Sequence, residues 1–162
     1  MAKAALMATD VILDTNVLVA GGFNRHSASA KILGLVRKGK LRVVWNHETR
    51  GEIEYILRKI PPLSMRDSKA LFRKDARFRG RTDPGQFRYV PDPADRKFAA
   101  LADASGATLI SNDDDLLAGR KRARVPIVTP EEFLRPVSSP SPPDEHSARH
   151  SARPRRVRRR RR

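Results

Sequence analysis

Val11-Ile12-Leu13-Asp14-Thr15-Asn16-Val17-Leu18-Val19 sets one acid between two apolar runs. A short β-branched run that stops at Asp reads as a buried strand whose last residue reaches the sheet edge. Three comparable runs lie further along, at 41–44 (Leu-Arg-Val-Val), 107–110 (Ala-Thr-Leu-Ile) and 125–128 (Val-Pro-Ile-Val). Helical periodicity fills the intervals: 28–38 with Ile32, Leu35 and Val36, 47–59 with Ile53, Ile56 and Leu57 leading to Ile60, and 94–105 with Phe98, Leu101 and Ala102. This alternation predicts an α/β fold, with a central, mostly parallel sheet of four to five strands flanked by helices on both faces.

Between Pro61 and Tyr89 the pattern is less regular. Ser64 is a candidate cap for a helix over 65–78, on which Arg66, Lys69, Arg73 and Arg77 share one narrow face at roughly 100° per residue. That basic stripe is a candidate RNA-binding surface, and an ordinary solvated face is the plain alternative.

The chain has 162 residues and a formal net charge of +16. After Leu134 the composition turns to Pro and Ser and then to Arg, so 1–135 is expected to be the folded domain and 136–162 a disordered tail. The tail holds 9 of the 34 basic residues and 2 of the 18 acids, which leaves the domain itself at +9. A basic globular surface favours a polyanion, because neutralising phosphates releases condensed counterions. No long apolar or basic amphipathic segment points to a membrane. Without cysteine there is no disulfide, Cys-ligated zinc or thiol catalysis, and the four His show no ligand spacing. Lys3 and a short apolar run broken at Thr9-Asp10 are too little for a secretory signal, so the cytoplasm is the expected compartment.

In open α/β sheets the reactive edge lies at the carboxyl ends of the strands. Asp14 ends the first strand, and Ser111-Asn112-Asp113-Asp114-Asp115 follows the strand at 107–110, so both reach that edge. Carboxylates brought together repel one another and lose hydration, a conflict that Mg²⁺ or Mn²⁺ removes with oxygen ligands. Such an ion can activate water and polarise a phosphoryl oxygen, which makes phosphodiester hydrolysis the natural reaction. Each acid also has a local reading. Asp14 is a turn or cap candidate. In Asp92-Pro93-Ala94-Asp95 a cap, a first-turn Pro and a third-position acid suit a helix start as well as Asp95 suits a ligand. Glu52 and Glu54 flank the apolar stripe of their helix equally, with Glu48 one turn earlier, and spacing does not choose among them.

Val-Ile-Leu-Asp-Thr-Asn-Val-Leu-Val, Glu-Ile-Glu-Tyr-Ile-Leu, Asp-Pro-Ala-Asp-Arg-Lys-Phe, Leu-Ile-Ser-Asn-Asp-Asp-Asp-Leu-Leu and Ile-Val-Thr-Pro-Glu-Glu-Phe-Leu, in that order, resemble the PIN-domain nuclease family. The branch they resemble most is that of toxin components of prokaryotic toxin/antitoxin systems. The resemblance covers residues 10–134 and implies a Mg²⁺- or Mn²⁺-dependent endoribonuclease. It assigns Asp14, Glu52, Asp95 and Asp113 as the catalytic acids, with Asp14, Asp95, Asp113 and Asp115 on the metal, and so selects Glu52 over Glu54. Thr15, Asn16 and Ser111 fall on its auxiliary positions. Ala94 and Arg96 depart from it, standing where that branch is more acidic.

Candidate partners are single-stranded or structured RNA, a small antitoxin protein and a second copy of the chain. The competing reading is a non-catalytic, basic RNA-binding module whose acids are caps. An aspartyl-phosphate phosphotransferase would want a second Asp two residues after Asp14, where Asn16 stands.

Overall fold

Val11, Ile12 and Leu13 are each no more than 1% exposed. Successive strand side chains point to opposite faces, so burial of all three means that both faces of this strand are covered. The computed structural model describes residues 8–59 and 65–135. In chain order they form β1 (Thr9–Leu13), α1 (Thr15–Phe23), α2 (Ala28–Arg37), β2 (Leu41–Val43), α3 (His47–Lys59), α4 (Met65–Leu71), α5 (Arg96–Ser105), β3 (Thr108–Ile110), α6 (Asp114–Ala118), β4 (Ile127–Val128) and α7 (Pro130–Leu134). The four strands pair in the order β2-β1-β3-β4, and every pairing is parallel. The expected α/β sheet between helices is therefore present.

β1 is central. Its apolar residues pack with Leu18, Ile32, Ile53, Phe98, Leu101, Leu109, Ile110 and Leu116 in one hydrophobic core. Where β1 and β2 are in register at Asp10 and Arg42, the guanidinium makes two hydrogen bonds to the carboxylate, at 2.6 and 2.9 Å. Helices α5 and α7 show how local sequence fixes an end. α5 stops at Gly106, whose φ of 75° is open to glycine at little cost. At α7, Thr129 and Glu132 form a reciprocal capping box around Pro130 at the first helical position.

The helix expected over 65–78 covers only Met65–Leu71. Beyond it the chain leaves helical geometry, with extended backbone at Arg73 (ψ 137°) and Arg77 (ψ 123°) around a short 3₁₀ turn at Lys74–Ala76. Trp45 is the cause. Its indole N–H donates to the Arg73 carbonyl at 2.8 Å, its backbone N–H to Ala76 at 3.2 Å, and its carbonyl accepts from Phe78 N–H at 2.8 Å. Trp45 and Arg77 thus form a parallel bridge beyond the end of β2. Tertiary pairing outcompetes local helix preference here. As a result Lys69 stays on α4, whereas Arg73 pairs with Asp75 and Arg77 lies over the Trp45 ring, so the stripe is not one helix face.

The expectations for the tail at 136–162, for Ile60 and for the Arg66 side chain lie outside the described residues. Among the described residues no helix is long and apolar enough to cross a membrane.

Candidate active site

Asp14 leaves the end of β1 and stands at the N-cap position of α1, yet its side chain makes no capping hydrogen bond. It is fully buried and turned to other partners. Ser111 Oγ donates to Oδ2 at 2.8 Å, and Thr15 Oγ1 donates to Oδ1 at 3.3 Å. Its pKa is raised, chiefly by burial. The Ser111 hydrogen bond opposes that shift, and the Asp113 carboxylate adds to it.

Ser111 reaches Asp14 because β3 runs beside β1 and both strands end at the same edge. Its hydroxyl also accepts from the Asp113 backbone N–H at 2.9 Å. One hydroxyl therefore ties the two acids together. Asp113 does cap a helix: Oδ1 accepts from the backbone N–H groups of Asp115 and Leu116 at the start of α6. Capping and a place in the acidic group coexist at this residue, since its charge acts on both Asp14 and Asp95.

Asp95 comes from a tight turn rather than from a capped helix start, one of the two readings its sequence left open. Asp92 Oδ1 accepts from Ala94 N–H at 2.9 Å, the Asp92 carbonyl accepts from Asp95 N–H at 3.1 Å, and α5 begins only at Arg96. Asp92 is thus a turn residue and not the cap of α5. Asp95 stands at the cap position without a capping hydrogen bond and is buried. Burial first, and then the charges of Asp113, Asp14, Asp92 and Glu52, push its pKa up to about 7. Arg96, a departure from the resemblance, turns away and donates to the Val90 carbonyl at 2.9 Å.

The three glutamates of α3 separate clearly. Glu54 pairs with Arg50 at 2.7 Å, one turn back on its own helix. Glu48 lines a surface cleft with Arg77, Arg79 and Arg81. Glu52 alone acts on Asp95, and it receives a hydrogen bond from the Lys97 ammonium on the first turn of α5. Lys97 escaped the reading of the sequence. Its one visible signal was that it stands two residues after Asp95.

Asp115 and Asn16 are not drawn into this group. Asp115 lies on the first turn of α6 and lines a separate cleft with Tyr89, Pro91 and Arg122, and Asn16 is exposed. The structure thus brings together Asp14, Glu52, Asp95 and Asp113, with Thr15 and Ser111 bonded to Asp14.

A divalent cation suits this donor set chemically. Carboxylate oxygens that raise one another's pKa are what a hard cation neutralises. As they stand, no three acidic or histidine side chains among the described residues close into a ligand group around one centre. Glu52 is also already matched by an internal cation, so Asp14, Asp95 and Asp113 are the residues left to hold an ion.

The profile of the PIN domain matches residues 10–115, a span that begins in β1 and ends just past Asp113. No curated protein matches the chain. Among solved structures, the chain is similar to one described as VapBC2 from Rickettsia felis bound to a DNA fragment from their promoter. The identity is 20% over 74% of this chain and 97% of that one, with a TM-score of 0.42. With more than half of its length matched by that profile, the chain belongs to the PIN domain family.

Proposed function

We propose that residues 1–135 are a metal-dependent endoribonuclease domain acting on single-stranded or structured RNA. The observation that carries this reading is the state of Asp95: burial first, and then the charges of four other carboxylates, hold its pKa near 7 in a protein whose net charge is +16. Acids that raise one another's pKa inside a basic protein are stabilised by a bound cation and approached by a polyanion.

When bound, Mg²⁺ or Mn²⁺ supplies Lewis-acid polarisation of a phosphoryl oxygen and lowers the pKa of water. Asp14, Asp95 and Asp113 are its proposed oxygen donors. Ser111 orients two of them at once, through Asp14 Oδ2 and the Asp113 backbone. Thr15 holds the other oxygen of Asp14. Lys97 fixes the rotamer of Glu52 on the flank of α3 that faces Asp95. In-line hydrolysis would leave a 5′-phosphate and a 3′-hydroxyl.

The resemblance to the toxin branch adds a small antitoxin protein as a proposed partner; the cytoplasm, expected from the N-terminal sequence, is the proposed compartment. A second reading, the non-catalytic RNA-binding module, draws support from one observation: Lys97 already neutralises Glu52. Cleavage of single-stranded RNA with Mg²⁺ or Mn²⁺ separates the two, with wild type compared to Asp14→Asn and Asp113→Asn. Cleavage by the wild type alone supports the nuclease. Binding that chelator leaves unchanged, with no cleavage, supports the module.

A further inference from the structure

A second concave surface lies at the same sheet edge, outside the acidic group. Asn46, His47 and Glu48, at the start of α3, face the segment from Arg77 to Thr82 across a cleft of about 550 Å³. Three arginines line it, Arg77, Arg79 and Arg81, against the single carboxylate of Glu48. The segment is anchored at its base by the Trp45–Arg77 bridge and by half-buried Phe78, which packs against the core. Gly80 closes over that ring: a Cβ there would lie 2.6 Å from Phe78 Cζ.

Several arginines elsewhere on the surface are already matched. Arg42, Arg50, Arg73 and Arg120 are each held by a carboxylate. Arg79 and Arg81 are exposed and form no ion pair with a described carboxylate. Unmatched guanidinium groups along one wall of a cleft suit a run of phosphates, each of which can take a forked pair of hydrogen bonds. Base stacking on the indole is not on offer. Trp45 is 5% exposed, and its ring is flanked by the guanidinium groups of Arg50 and Arg77.

We propose that this cleft is a subsite for the phosphate backbone of single-stranded RNA, with Arg79 and Arg81 as its principal contacts. The proposal rests on the nuclease reading for the choice of RNA. Glu48 in the cleft and Glu52 beside Asp95 are one helical turn apart on α3, about 6 Å of axis, so one extended strand spans both. Contacts of this kind position the strand without reading its bases.

The test is fluorescence anisotropy of a labelled oligouridylate with the full chain in EDTA, where cleavage is not read. Arg79→Gln/Arg81→Gln is compared with Lys38→Gln/Lys40→Gln, which removes the same charge beside the start of β2, at the opposite sheet edge. The cleft variant is expected to bind about tenfold more weakly near 0.1 M salt, and the slope of log K against log salt should fall by about 1.4, two contacts at about 0.7 each. The control should stay close to wild type. Equal binding by wild type and the cleft variant, or an equal loss in both variants, would overturn the proposal. The outcome is independent of the nuclease reading: a protein that never cleaves RNA can still pass, and an active nuclease can still fail.

Discussion

Ser111 Oγ donates to Asp14 Oδ2 at 2.8 Å across 97 positions of sequence, and both residues are fully buried. The contact joins the ends of β1 and β3. It also fixes Asp113, whose backbone N–H donates to the same hydroxyl.

Ser111→Ala removes that donor and leaves a buried carboxylate oxygen short of a partner. The cost is expected to be about 1–3 kcal/mol, read as a melting temperature lower by several degrees. The Ser111 hydrogen bond lowers the Asp14 pKa, so the variant should titrate Asp14 higher still. A melting curve superimposable on wild type would contradict this.

Asp95 predicts the pH dependence of the metal-free protein. Below about pH 4 the folded and unfolded chains both keep its proton. Between there and about 7 only the folded chain does, so the stability this group contributes declines as pH rises through that window and levels off above it. In EDTA the melting temperature of Asp95→Asn should fall less than that of wild type between pH 5 and pH 8. Parallel curves for the two proteins would remove the assignment.

Lys97 competes with any added cation for the Glu52 carboxylate. Lys97→Met frees Glu52, adds to the negative charge around Asp95, and is expected to tighten Mn²⁺ binding several-fold while lowering metal-free stability modestly, since both side chains are partly exposed. Unchanged Mn²⁺ affinity in calorimetry would show that the pair does not bear on the acids.

Gly106 ends α5 with φ 75°, and nothing lies within 4 Å of a Cβ built there. Gly106→Ala should therefore cost about 1 kcal/mol from backbone strain alone, measurable by urea unfolding. A neutral or stabilising result would show that the turn relaxes to another conformation.

The strands were legible in sequence because apolar runs ending in turn residues have few other uses, and β1 with Asp14 carried the most weight. Asp113 was legible as a member of an acidic run too long for capping alone. Three features were not. Whether 65–78 stays helical depends on Trp45, 28 positions from the Arg73 carbonyl it captures, and no local pattern encodes that contact. Asp95 looked as much like part of a helix start as a ligand, until the turn at Asp92 showed its carboxylate uncommitted to capping. The choice of Glu52 over Glu54 by spacing was open because the two flank the same stripe. What separates them is the partner each meets, Lys97 from α5 or Arg50 on the same helix.

The central claim is that Asp14, Asp95 and Asp113 act together to hold a divalent ion. Calorimetric titration with Mn²⁺ at pH 8, on the full chain and on Asp14→Asn, Asp95→Asn and Asp113→Asn, tests it most directly. The account predicts saturable binding by wild type and a loss in each variant beyond the roughly 10- to 100-fold typical of an outer-sphere partner. Mn²⁺ affinity in the three variants equal to that of wild type would contradict it.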